Sequence, residues 1–245
     1  MALPRVLLVE DDASIRRFVS LALEDDAIEL MEAPTLAAAI EALRGEPFAL
    51  VLCDLMLPDG SGLDLLRELA SPGAPSPSAR RVAFSAGISA PMRRQLDQAG
   101  VHEVLPKPAS LADLQACLSR ALAAAPPVDQ PPATPASADP GAVQTYFGGD
   151  QALYDAYLAQ CRPQFARDAS AGDLAQAQGD LQALRRLAHS LKSVWRSLGF
   201  APDSALAARL EGCAAHGDAA ASAVLWQQVR SRLMDHAGGA PESSA

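Results

Sequence analysis

The sequence predicts an α/β domain followed by an all-α domain: a (βα)5 doubly wound parallel sheet joined through a Pro-rich linker to a four-helix bundle. Three observations predict it. Short, near-continuous apolar runs alternate with amphipathic stretches up to about residue 124. Then "AAAPPVDQPPATPASADPG" (123–141) is too poor in large apolar residues to build a core. Beyond it the strand signal ceases and only helical periods remain.

Taken in order, "RVLLVE" (5–10), "FALVLCD" (48–54) and "RVAFSA" (81–86) read as buried parallel strands, with "AIELM" (27–31) and "HEVLP" (102–106) as weaker ones. Helical stretches follow near 14–24, 35–44, 62–70, 90–99 and 109–124, giving five βα units. The linker is set at 125–140; its prolines favour an extended conformation, which at ~3 Å per residue spans up to roughly 50 Å. Helices are expected near 150–178, 181–198, 203–215 and 219–236, with Gly199, Pro202, Gly217 and Asp218 marking turns. The expected domains are therefore 1–124, a bundle over 141–237, and a disordered tail at 238–245.

Composition narrows the function. A net charge of −9 argues against sequence-independent nucleic-acid binding. Cys53, Cys117, Cys161 and Cys213 stand singly, which reads as reduced thiols in a cytoplasmic protein and not as a zinc site or disulfide framework. The N-terminus does not resemble a signal peptide, and no apolar run approaches the ~20 residues of a membrane span. A soluble cytoplasmic protein without membrane insertion is expected.

In an open α/β sheet, chemistry gathers at the carboxyl ends of the strands. Those ends carry Glu10, Asp11 and Asp12, then Asp54, Ser85 and Lys107. Carboxylates brought together repel unless a cation sits among them, and Mg²⁺ suits oxygen ligands and phosphoryl groups. A lysine and a serine hydroxyl would meet the remaining phosphoryl oxygens, so the set suits transfer of phosphate onto a carboxylate.

The motifs "VLLVEDD", "LVLCDLMLPDGSGLDLL", "FSA" and "LPKP", in this order, resemble a response-regulator receiver domain over residues 4 to about 124. The resemblance implies phosphorylation of Asp54. It implies Mg²⁺ bound by Glu10, Asp11, Asp54 and the backbone carbonyl of Met56, with Ser85 and Lys107 on the phosphoryl group. It also implies a cis Lys107–Pro108 bond. Asp12 is read as a helix N-cap and left out of the metal set. Two departures from the family matter. Val104 replaces the usual switch aromatic, which mutes that switch. Met56 and Gly87 replace the residues that orient a hydrolytic water, so a slowly hydrolysing aspartyl phosphate is expected; a half-life of seconds would overturn it.

In "RRLAHSLKSVWRSLG" (185–199), a wheel at about 100° per residue gathers Leu184, Leu187, Ala188, Leu191, Trp195 and Leu198 into one apolar stripe. His189 falls roughly 140° from it, among Arg185, Arg186, Lys192, Ser193 and Arg196. An exposed histidine in a basic neighbourhood is expected there, its neutral nitrogen a nucleophile and the surrounding charge a support for phosphate. With "YFGGDQALYDAYLAQ", "GDLQALRRLAHSLKS" and "SLGFAPDSALAARLE", the region from about 141 to 237 is similar to a histidine-containing phosphotransfer (HPt) domain. Membership implies that His189 carries phosphate, that Lys192 supports it, and that the bundle has no kinase activity. Tyr146, Phe147 and Trp226 are read as packing residues.

The combined expectation is a phosphorelay carrier, not an enzyme. It would exchange phosphate with a sensor or hybrid histidine kinase and a separate response regulator, and the basic His189 face would dock on acidic crevices. The chain offers neither a DNA-reading helix-turn-helix nor a nucleotide-binding glycine loop. An alternative stays open: receiver phosphorylation could gate docking of the HPt domain without transfer between the halves.

Overall fold

The computed structural model describes residues 2–123 and 141–238. The linker expected at 125–140 lies outside the described residues. So does the expected tail, apart from Gly238, which closes the last helix. Two compact units divide at Gly149.

The first unit contains β1 (Arg5–Val9), α1 (Ala13–Ala22), β2 (Glu29–Ala33), α2 (Leu36–Leu43), β3 (Leu50–Asp54), β4 (Met56–Leu57) and β5 (Gly60–Ser61). It continues through α3 (Gly62–Leu69), β6 (Arg80–Ser85), α4 (Ala90–Gln98), β7 (Glu103–Pro106), α5 (Leu111–Leu122) and α6 (Ala142–Phe147). Five strands form a parallel sheet in the order β2-β1-β3-β6-β7, the doubly wound arrangement the alternating runs predict. The central strands β1, β3 and β6 are buried along nearly their whole length, whereas β2, at an edge, is half exposed, which accounts for its weaker apolar signal. Register is set by pairs such as Val9 with Cys53 and Cys53 with Ala83, which bring the strand ends level.

Helix starts fix the loops at that end. Asp12 caps α1, its carboxylate accepting from the Ile15 amide at 2.8 Å. Ser110 and Asp113 form a capping box on α5. At α2, Asp59 reaches over from the β4–β5 turn and accepts from the Leu36 and Ala37 amides at 2.8 and 2.9 Å. Gly62 begins α3 so close to β3 that a Cβ there would stand 1.8 Å from the Asp54 carbonyl oxygen, a position open only to glycine.

The second unit contains α7 (Gln151–Gln178), α8 (Leu181–Ser197), α9 (Ala201–Ala215) and α10 (Ala219–Gly238). Asp150, Asp180 and Asp218 cap α7, α8 and α10 through their own side chains. Its core centres on Tyr157, Phe165, Trp195 and Trp226. Gly172 lets the Trp226 indole lie against α7, since a Cβ there would fall 2.0 Å from the ring. His236 stacks on Phe200 at 4.1 Å and meets Asp203 at 2.8 Å, pinning the end of α10 to the start of α9.

The bundle expected from residue 141 begins at 150. Residues 142–149 fold with the first unit, because Phe147 is fully buried and meets Phe18 of α1 edge-to-face at 5.4 Å. Among the described residues, no helix is long and apolar enough to cross a membrane.

Candidate functional sites

The level strand ends of the first unit bring together the side chains the sequence points to. Asp54 closes β3, is 2% exposed, and accepts from the Met56 amide at 3.0 Å and from Lys107 Nζ at 2.7 Å. Lys107 also forms an ion pair with Glu10 and lies 4.9 Å from the centre of the Phe84 ring. Its backbone amide donates to the Ser85 carbonyl at 2.9 Å, and the Lys107–Pro108 bond is cis. Ser85 is buried at the end of β6, its hydroxyl 3.5 Å from the Gly87 carbonyl.

Glu10, Asp11 and Asp54 offer carboxylate oxygens within 4.8 Å of one another. Burial and the Asp54 charge push Glu10 up to about 8, although Lys107 opposes the shift. The same two causes, burial first, raise Asp11 to about 6. Lys107 moves upward in turn: burial disfavours its charge, but Glu10 and Asp54 outweigh burial. One ammonium therefore serves three acids, and the Glu10 Oε2 atom, though in ion-pair contact, has no aligned hydrogen-bond donor. An all-oxygen set with surplus negative charge fits a hard divalent cation such as Mg²⁺.

The second site departs from expectation. His189 is 8% exposed, so the outward histidine is corrected to a buried one. The wheel identifies only the apolar stripe. On the opposite side of α8, the small residues Ser193 and Ser197 are buried, and the Ser204 hydroxyl of α9 donates to the Lys192 carbonyl at 2.8 Å. α8 is thus covered on both sides, and a face of serines and one histidine carries no hydropathy signal.

Burial brings His189 a partner that the sequence reading did not name. His189 Nδ1 lies 2.6 Å from Glu211 Oε1, and Lys192 Nζ donates to Glu211 Oε2 at 2.5 Å. Burial alone would raise the Glu211 carboxyl; the hydrogen bonds and charges of His189 and Lys192 hold it down to about 2. An ionised carboxylate only accepts, so Nδ1 carries the proton facing it, and in the neutral ring the lone pair falls on Nε2. Among the described residues, neither the covered Nε2 nor the buried Ser193 hydroxyl has a hydrogen-bonding partner. A signal for Glu211 existed: His189 and Glu211 stand eleven residues on either side of Phe200, at equal distance from the turn of an antiparallel helix pair.

The family model of the response regulator receiver domain matches residues 6–119, and that of the Hpt domain matches residues 152–237. Over 210 residues the chain is 30% identical to Sensor protein TorS of Escherichia coli (strain K12), covering 84% of this chain and 22% of that protein. It is 37% identical over 118 residues to KDP operon transcriptional regulatory protein KdpE of the same organism, covering 48% of this chain and 50% of that one. The chain thus spans no more than about half the length of either relative. Among solved structures, the non-phosphorylated HemR receiver domain from Leptospira biflexa is 31% identical, with a TM-score of 0.45, covering 51% of this chain and 99% of that one.

Proposed function

Residues 6–119 are a response regulator receiver domain and residues 152–237 an Hpt domain, and from that pairing we propose a two-component phosphorelay protein that accepts phosphate on Asp54 and carries it on His189. The observation that supports this most is the pair of primed groups: a carboxylate held by Lys107 among surplus acids, and an imidazole whose Nδ1 is held by Glu211.

In the receiver, an Asp54 oxygen attacks phosphorus, the bond from phosphorus to a donor's histidine nitrogen breaks, and its electron pair returns to the ring. Lys107 turns from the carboxylates to the incoming phosphoryl oxygens, and Ser85 donates its hydroxyl to them. Glu10, Asp11 and Asp54, with the Met56 carbonyl, would hold Mg²⁺. When bound, the cation neutralises the charge that develops on the transferred oxygens.

In the bundle, His189 Nε2 attacks the phosphorus of an aspartyl phosphate, the phosphorus–oxygen bond breaks, and the electrons return to the carboxylate. Glu211 balances the charge of the phosphorylated ring through Nδ1–H, and Lys192 supports the phosphate. Because Nε2 is covered, the ring has to turn outward before it reacts.

The partners proposed are a histidine kinase as source and a response regulator as acceptor. The protein carries phosphate and does not draw it from a nucleotide. Free thiols at Cys53, Cys117, Cys161 and Cys213 support a reducing, cytoplasmic setting.

The test labels the full chain with acetyl phosphate and Mg²⁺ and separates alkali-labile aspartyl phosphate from alkali-stable phosphohistidine. Label is expected first on Asp54 and then on His189. Label on neither residue, or label that persists in the Asp54→Ala, His189→Ala double variant, would overturn the proposal.

A further inference from the structure

Helix α6 plays no part in the chemistry above and lies outside the bundle. Its residues follow the Pro-rich stretch in sequence, yet they pack on the first unit. Phe147 is fully buried against Phe18. Gly148, left-handed at φ 62°, ends the helix beside α5: a Cβ there would stand 3.9 Å from Leu111. The Gly149 amide returns to the Val143 carbonyl at 3.0 Å, closing the turn just before Asp150. A short helix thus bridges α1 and α5 and is anchored by one aromatic residue.

We propose that α6 is a strap over the α1–α5 face of the receiver, one that a partner's phosphohistidine-bearing helix must displace. It therefore slows transfer between proteins and leaves phosphorylation by small donors unaffected. The proposal rests on the relay reading above.

Three observations carry it. On the α1 wheel, Phe18 lies within the buried stripe of Ser14, Ile15, Val19 and Ala22, and α6 supplies Phe147 against its ring. Both helices that α6 touches start at the pocket mouth. α1 begins directly after Asp12, and α5 begins four residues after Lys107. Phe18 lies five residues into α1, about 7 Å of rise, which is less than the roughly 10 Å width of a helix. A partner helix laid over the pocket beside α1 overlaps the ground α6 occupies. Acetyl phosphate, a few atoms across, reaches Asp54 without touching it.

The test uses full chains. Donors are His189→Ala chains with α6 intact, with Phe147→Ala, or with Thr145→Pro, which removes the amide bonded to Gly141 and breaks the helix while keeping the Phe147 side chain. Each is loaded at Asp54 with acetyl phosphate and Mg²⁺, then mixed with an Asp54→Ala chain as acceptor. Phosphohistidine is followed by its alkali stability. Loading rates are expected to match, and transfer is expected to run at least about threefold faster from both strap-broken donors. Equal or slower transfer at unchanged loading overturns the strap and leaves the relay standing. Transfer from none of the donors overturns the relay reading, and the strap with it.

Discussion

Each half of the chain sets a glutamate beside a lysine, and the two glutamates respond in opposite directions. Glu10 is pushed up to about 8, whereas Glu211 is held down to about 2. Burial raises both, and more strongly Glu10, which is wholly buried where Glu211 is partly exposed. The balance of charge separates them further. In the receiver, Glu10, Asp11 and Asp54 compete for the single Lys107 ammonium. In the bundle, Glu211 alone receives both Lys192 and His189. The receiver pocket is therefore short of positive charge and suited to capture a cation with its phosphoryl group. The bundle site pairs its acid with two partners already, and on the proposed reading it serves to hold the His189 ring in one tautomer.

The sharpest way to break that contrast is to remove each lysine. Lys107→Met takes the ammonium from the three acids and from the incoming phosphoryl group; Asp54 labelling by acetyl phosphate is expected to fall at least about 100-fold. Lys192→Met leaves Glu211 bonded to His189, and His189 labelling is expected to fall only about 3- to 10-fold. Equal losses in the two labelling assays would end the distinction between a cation-short pocket and one whose acid is already paired.

Next in size is Glu211→Gln. The amide oxygen still accepts from Nδ1–H, but the charge that balances a phosphorylated ring is gone. His189 labelling is expected to fall about tenfold. The ¹⁵N spectrum of the imidazole is expected to move from the Nδ1–H tautomer toward a mixture. A variant that loses rate but keeps its tautomer would leave Glu211 with a purely electrostatic part.

Acid provides a third, smaller test. Glu211 has a folded-state value near 2, below the ordinary 4.5, so it binds its proton more readily unfolded than folded. Its stabilisation is complete above pH 4.5 and is lost as pH falls toward about 2. Both tryptophans, Trp195 and Trp226, lie in the bundle, so their emission follows this half alone. Urea midpoints from that emission are expected to drop between pH 5 and pH 3, with a shallower drop in Glu211→Gln. Parallel curves would mean that the ion pair adds nothing.

The receiver site was legible in the sequence, because in a parallel sheet the strand end itself places the residue. Asp54, Ser85 and Lys107 each close or follow an apolar run, so finding the run finds the side chain. Helices give no such address. His189 could be placed on a wheel, but the wheel registers apolar neighbours and passes over Ser193 and Ser197, which are buried on the polar side with it. Glu211 resembles any surface acid until the turn at Phe200 pairs the two helices. The boundary at 141 failed for a related reason: a six-residue helix with one buried aromatic residue carries too little pattern to reveal which unit it joins.

The smallest expected effect concerns helix caps and asks whether the contrast reaches beyond charge. The bundle caps α7, α8 and α10 with the aspartate that precedes each helix, so those bonds serve the helix alone. In the receiver Asp12 caps α1 and Thr35 caps α2 in the same way, but Asp59, from the turn between β4 and β5, adds two further bonds at α2, and the same two-residue strands hold Met56 beside Asp54. Asp180→Ala is expected to cost the bundle about 1 kcal/mol and to leave His189 labelling unchanged. Asp59→Ala, losing a more solvated cap, is expected to cost no more than that. It also frees the turn that carries a candidate metal-binding carbonyl. The Mg²⁺ concentration needed for half-maximal Asp54 labelling is then expected to rise about two- to threefold. An unchanged Mg²⁺ requirement would make Asp59 an ordinary cap and leave charge balance as the one difference between the two sites.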